Sequence, residues 1–290
     1  MHIEGILVPI ITPFAEDGSV NVQALGQLVD HFIDAGVAGI VACGTTGEYY
    51  ALTDAERDTV LQTVAQKAKG RVLAVAGINA LSTPQSIQHA QRAQALGYDA
   101  VMLATPPYSL PEQAGIVRHF ETVAAATPLP IILYDFPQRV GVQIAVETVL
   151  HLAKIPNIVA IKESSGNFNR ALALIQANIP DFQIISGSDD MAADFLFWGV
   201  RSWISGGANV FPAEQVRMVK AATQGRWDDV RQLMAGMYPV IQAMESGDYN
   251  QKAKLGCRRH GIEAGTVRLP LAPLSEADAQ AFMTMLDAYV

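Results

Sequence analysis

The stretch NIVAIKESSG, residues 157–166, decides the fold. From Ile158 to Ile161 it is apolar at every position rather than at every second one. A strand with one wet face alternates. A strand apolar throughout is covered on both faces, as in a parallel sheet clad by helices. The run ends in Lys162, whose ammonium is costly to take out of water. Alternation along a strand puts Ala160 and Lys162 on one side and Ile161 and Glu163 on the other. The first pair reads as inward and the second as facing the helices.

Other short runs of this kind are GILVPI, GIVACG, RVLAVAG, AVMLAT, PIILYD, FQIISG and SWISGG, which with IVAIKE make eight predicted strands. Helix-like segments lie between them. NVQALGQLVDHFIDAG carries Leu25, Leu28, Val29, Phe32 and Ile33 on one face of 3.6-residue period and stops at Gly36. TDAERDTVLQTVAQKAKG opens on Thr53 as a cap, with acids early and lysines late, the order that suits the helix dipole. STPQSIQHAQRAQALG has a cap, Pro84 in its first turn and Gly97 at its end. Eight such units predict an α/β chain of the (β/α)8 TIM-barrel class over residues 1–225. A doubly wound open sheet, the main competitor, usually has fewer strands. Residues 226–290 hold no strand candidate and read as a C-terminal helical extension. There Trp227, Val230, Leu233, Met234 and Met237 recur at helical spacing, a face for the barrel or for another subunit.

Composition agrees with a large core. Of 290 residues 50% are hydrophobic and only 17% charged, which excludes a disordered chain. The net charge of −8 repels nucleic acid and anionic membrane surfaces, so neither is expected as a partner. Cys43 and Cys257 form no C-x-x-C pair and no disulfide framework, which fits a reduced cytoplasm. The opening MHIEGILVPIITPF reads as a first strand rather than a signal peptide, and no run is long enough to span a membrane.

In a barrel of this class the reacting groups gather at the C-terminal ends of the strands. Here those ends carry GTTGE (44–48), TPPYSLP with Tyr108, YDFPQRVG with Tyr134 and Arg139, then Lys162, SGSDD and SGGANV. An amine attacks a carbonyl only when neutral. At the ordinary lysine pKa of about 10.4, only about one side chain in a few thousand is neutral at pH 7. Burial disfavours the charged form and raises that share, so Lys162 suits a Schiff base with a 2-oxo acid. The plainer reading is a lysine that snorkels from the strand end. Tyr134 shares a strand side with Ile132, where a phenol can pass protons to and from the amine; the plainer reading is a structural hydrogen bond. Thr45 and Thr46, between two glycines, offer hydroxyl and backbone donors for a carboxylate, or form an ordinary turn. Arg139 offers a two-pronged site for a second carboxylate, or is a surface arginine. Asp189 and Asp190 precede the helix-like DDMAADFLFWG and read as caps, and Cys43 reads as packing. The six histidines lack ligand spacing, and neither a P-loop lysine nor G-x-G-x-x-G occurs, so no metal and no nucleotide cofactor are expected.

Taken in order and spacing, GTTGE at 44–48, TPPY at 105–108, Y-x-x-P-x-x-x-G at 134–141 and IKE at 161–163 resemble the dihydrodipicolinate synthase and N-acetylneuraminate lyase family over nearly the whole chain. The resemblance implies that Lys162 forms the Schiff base with pyruvate or another 2-oxo acid and that Tyr134 relays protons. It implies that Thr45 and Thr46 hold the substrate carboxylate and link to Tyr134, with Thr46 counted among the catalytic groups. Tyr108 matches a tyrosine that completes the relay in a neighbouring subunit. Gly187 and Ile204 match positions that line the ketoacid, and Arg139 matches the arginine that takes the carboxylate of aspartate semialdehyde. It also implies a homotetramer built as a pair of dimers, with no cofactor.

Three departures from the synthase pattern stand out. Pro107 replaces a further tyrosine, Tyr49 and Tyr50 replace small residues, and Asp54, Arg57 and Gln85 stand where regulated synthases bind lysine. Inhibition by lysine is therefore not expected. Dehydratases of 2-keto-3-deoxy sugar acids and a 1-pyrroline-4-hydroxy-2-carboxylate deaminase of the same family fit these departures too. Outside that chemistry stand a metal-dependent aldolase on the same barrel and a non-catalytic barrel that binds a ketoacid.

Overall fold

The computed structural model describes residues 1–289. Its strands are β1 (Gly5–Pro9), β2 (Gly39–Ala42), β3 (Leu73–Gly77), β4 (Ala100–Ala104), β5 (Ile131–Asp135), β6 (Ile158–Glu163), β7 (Gln183–Ser186) and β8 (Ser202–Ile204). All neighbours are parallel, and β8 pairs back onto β1 to close the barrel. Each strand falls within a predicted apolar run.

The continuous apolar runs have the two destinations expected of them. Leu7, Val41, Val75, Met102, Ile132, Ala160, Ile185 and Ile204 fill the barrel interior. Ile6, Val8, Ile40, Val101, Leu103, Leu133 and Ile161 pack outward beneath the helices. Each of the Val, Leu, Ile and Met side chains among them, fully withdrawn from water, contributes about 1.5–3 kcal/mol. The helices start where the capping residues stand. Thr53 accepts from the backbone of Glu56 while the Glu56 carboxylate accepts from that of Thr53, a complete capping box for the helix Asp54–Ala68. Ser82 caps Thr83–Ala95, with Pro84 in the first turn.

Beyond Gly225 the chain adds the helices Trp227–Glu245, Tyr249–Gly256 and Glu276–Asp287. Val230, Met237, Val240, Ile241 and Met244 of the first are buried in the same outer layer as the barrel helices. Through them the helix Trp227–Glu245 packs against the helix Pro212–Thr223 that follows β8.

The register between β5 and β6 matters most for the site. Tyr134 lies opposite Lys162, and Asp135 opposite Glu163. The first pair faces inward. The second faces outward and meets Arg170 of the helix Phe168–Gln176, which ion-pairs with Asp135 at 3.0 Å and also with Glu163. Arg170 further donates to the Ile144 carbonyl at 2.5 Å. One buried guanidinium thus ties together the outward partners of the two inward residues. Replacing Arg170 with methionine leaves two carboxylates buried without a counter-charge. Stability should fall by about 3–5 kcal/mol, measured by urea denaturation, and a loss below about 1 kcal/mol would contradict this role.

Candidate active site

A cavity of about 430 Å³ opens at the C-terminal ends of the strands. Thr45, Thr46, Tyr134, Arg139, Lys162 and Gly187 all line it. They follow or end four different strands, and closure of the barrel alone brings them together.

Lys162 is 6% exposed and Tyr134 4%. The lysine Nζ lies 4.3 Å from the centroid of the tyrosine ring. Burial lowers the Lys162 pKa to about 8, against the opposing pull of the Asp189 and Glu245 carboxylates. At that value roughly a tenth of the amine is neutral at pH 7, some hundreds of times more than in an exposed lysine. Burial also pushes the Tyr134 phenol well above its ordinary range, with the hydrogen bond to Thr45 and the charge of Arg139 working the other way. The phenol therefore keeps its proton at neutral pH and can lend it.

Gly187 explains itself by space. A Cβ there would lie 2.8 Å from the Lys162 Cγ and collide with the Ser164 hydroxyl. Arg139 sits on a short helix, Pro137–Val140, that sequence reading passed over, ended by Gly141 at φ +80°. A Cβ on Gly141 would also strike Leu110. The guanidinium stands at the exposed rim of the cavity.

Asp189 does not cap a helix. The helix Ala192–Phe197 starts after Met191 with no side-chain cap. The Asp189 carboxylate is instead 3% exposed and accepts three hydrogen bonds, from Trp203 Nε1 at 2.9 Å, the Gly207 amide at 2.8 Å and the Tyr249 hydroxyl at 2.6 Å. With Asp190 and Glu245 it makes one wall of the cavity acidic. Partial burial, then repulsion by Asp189 and Asp190, raises the Glu245 pKa to about 8.

The sequence profile of the dihydrodipicolinate synthetase family matches residues 2–289. The chain belongs to that family. It is a lyase of the family. A 4-hydroxy-tetrahydrodipicolinate synthase of Exiguobacterium sp. is 35% identical over 286 residues, spanning 98% of this chain and 97% of the relative. Another, from Alcanivorax borkumensis, is 39% identical over 275 residues, 95% of this chain and 94% of the relative. The crystal structure of a chloride-inhibited dihydrodipicolinate synthase from Acinetobacter baumannii, complexed with pyruvate, has a TM-score of 0.95 at 33% identity and covers 100% of both chains.

Against the family pattern, the site residues fall into three groups. Lys162, Tyr134, Thr45, Thr46, Arg139 and Gly187 meet at the cavity. The Thr45 hydroxyl lies within reach of the Tyr134 phenol, and Thr46 lines the same cavity. Ile204 is fully buried in the barrel interior rather than on the cavity wall. Tyr108 is 93% exposed, with φ +71°, and is not brought to this chain's own cavity. Cys43 is packing as expected: it is fully buried, and burial pushes its thiol up to about 11, away from the reactive thiolate. Among the described residues no three His, Cys, Asp or Glu side chains cluster as metal ligands, and no helix is long and apolar enough to cross a membrane.

Sequence reading missed Tyr249, Asn250 and Glu245. All three belong to the C-terminal extension, which no strand end places near the rim. The only local signal for Tyr249 and Asn250 was the polar run DYNQK, residues 248–252.

Proposed function

We propose that the protein joins a 2-oxo acid, pyruvate, to an aldehyde by way of a lysine Schiff base, in the manner of a 4-hydroxy-tetrahydrodipicolinate synthase. The observation that carries the reading is the inward pairing of Tyr134 with Lys162 across β5 and β6. The neutral Lys162 amine attacks the ketone carbon and forms a carbinolamine. Tyr134 lends a proton to the departing hydroxyl, water leaves, and an imine remains. Loss of a proton from the adjacent methyl gives an enamine, whose carbon attacks the aldehyde carbon. The new alkoxide takes a proton, the amine of the condensed semialdehyde adds to the imine carbon and closes a ring, and the carbon–nitrogen bond to Lys162 breaks as its amine takes up a proton and the cyclic product leaves. Thr45 and Thr46 hold the ketoacid carboxylate, and Arg139 at the rim takes the carboxylate of aspartate semialdehyde.

One observation favours a second reading, a dehydratase of 2-keto-3-deoxy sugar acids. Burial, with repulsion by Asp189 and Asp190, raises Glu245 to about 8, so this carboxyl on the cavity wall holds its proton at neutral pH and suits protonation of a leaving hydroxyl. A turnover panel separates the two. Pyruvate with aspartate semialdehyde is expected to be the best pair, and Arg139→Ala should raise KM for the semialdehyde by about tenfold to a hundredfold with little change for pyruvate. Turnover of a sugar acid alone, unaffected by Arg139→Ala, would favour the dehydratase instead. The same reading places the enzyme in the cytoplasm as a pair of dimers. The exposed Tyr108 supports this, because its phenol is free to reach a partner's relay. In that assay the active species should sediment as a tetramer, and added lysine should leave the rate unchanged.

A further inference from the structure

We propose that Asn250 and Lys254 of the C-terminal extension are positioning residues that clamp the turn carrying Thr45 and so aim its hydroxyl at Tyr134. The inference rests on the relay proposed above. The two residues stand one turn apart on the helix Tyr249–Gly256 and therefore share a face. Asn250 Nδ2 donates to the Thr45 carbonyl at 3.3 Å and to the Tyr50 hydroxyl at 3.1 Å. Lys254 reaches the other end of the same turn, its Nζ ion-paired with Glu48 Oε1 at 2.6 Å. The second Glu48 oxygen accepts from the Arg268 amide at 3.0 Å. Within the turn the Glu48 amide donates to the Thr45 carbonyl at 3.0 Å, so the two grips act on one hydrogen-bonded unit.

Glu48 has φ +54°, a left-handed conformation that a glutamate adopts only when its surroundings impose it. Its side chain is fully buried, and Lys254 is 2% exposed. The Lys254 ammonium also donates to the Thr266 carbonyl at 2.8 Å and lies 3.9 Å from the centroid of the Phe14 ring. A buried ion pair is a poor device for stability, since apolar side chains of the same volume often do as well. It is a good device for direction. From the opposite side the Thr12 hydroxyl donates to the Gly47 carbonyl at 2.7 Å, where a Cβ on Gly47 would lie 2.9 Å from the Ile10 carbonyl. The backbone of the turn is thus held both from the segment after β1 and from the extension, which fixes the Cα from which the Thr45 hydroxyl projects.

The test is a cycle in which Asn250→Ala is made in the wild type and in a Thr45→Val background. In the wild type the variant should melt normally and lose about tenfold in kcat, since small misplacements of a reacting group cost that much or more. If Asn250 acts through Thr45, the same change should cost less than about twofold once the Thr45 hydroxyl is gone. Equal losses in both backgrounds would overturn the clamp and leave a structural role only. If Asn250→Ala fails to fold, the double variant Glu48→Gln with Lys254→Met replaces it, and its loss must likewise vanish with Thr45→Val. Reductive trapping of pyruvate on the wild type keeps the two ideas apart: an enzyme that forms no adduct sinks the relay itself, whereas trapping with additive losses sinks only the clamp.

Discussion

Lys162→Ala should fold as the wild type does and lose all measurable turnover. The variant removes the only atom proposed to bond to the substrate, and no other described residue offers a buried amine opposite Tyr134. Removal of a long buried side chain beside Tyr134 leaves a polar, open-ended space that water fills, so the fold tolerates it. The loss is therefore chemical, and circular dichroism with a thermal melt separates it from unfolding. The wild type should show the matching pH dependence. Lys162 has its pKa lowered to about 8 by burial. Below that pH the amine is protonated and inert. The rate of imine formation should rise close to tenfold per pH unit through neutrality and level off above about pH 8. An exposed lysine would keep rising past pH 9. A variant that still turned over at a tenth of the wild-type rate would remove Lys162 from the chemistry.

Tyr134→Phe should slow turnover by about 10²–10⁴. The substitution keeps the ring that stacks on Phe136 at a centroid distance of 5.8 Å and lies beneath the Lys162 amine. It removes only the hydroxyl, which stands within reach of Thr45. Because the phenol of the wild type is held protonated by burial, the lost function is proton donation and return, with no loss of a standing negative charge. The amine remains, so the Schiff base still forms, more slowly. Stopped-flow measurement of imine formation and steady-state turnover should fall together. A variant slowed less than about threefold would mark Tyr134 as a packing residue.

The barrel was legible because its strands are buried on both faces, which writes them as unbroken apolar runs. The two-residue period of a strand then separated Lys162 and Tyr134, which point in, from Glu163, which points out to Arg170. Turns carry no such period. Nothing in GTTGE tells how its two adjacent hydroxyls stand to the phenol, and it is the fold that brings Thr45 within its reach. Asp189 misled for a related reason. An acid before a helix-like run has the local signature of a cap, but Trp203, Gly207 and Tyr249, remote in sequence, supply its three donors. The extension was read correctly as helical, yet its hold on the site through Asn250 and Lys254 depends on how the helix Tyr249–Gly256 docks, and no spacing along the chain encodes that. Tyr108 was read with the site because it follows a strand end, but at 93% exposed it stands clear of this chain's own cavity.

The most direct test is to incubate the protein with pyruvate, reduce with borohydride, and map the adduct by mass spectrometry of its peptides. The account predicts one reduced pyruvate per chain, on Lys162, formed faster at pH 8 than at pH 6. An unmodified Lys162 in a folded protein, or pyruvate carried on another lysine, would contradict it.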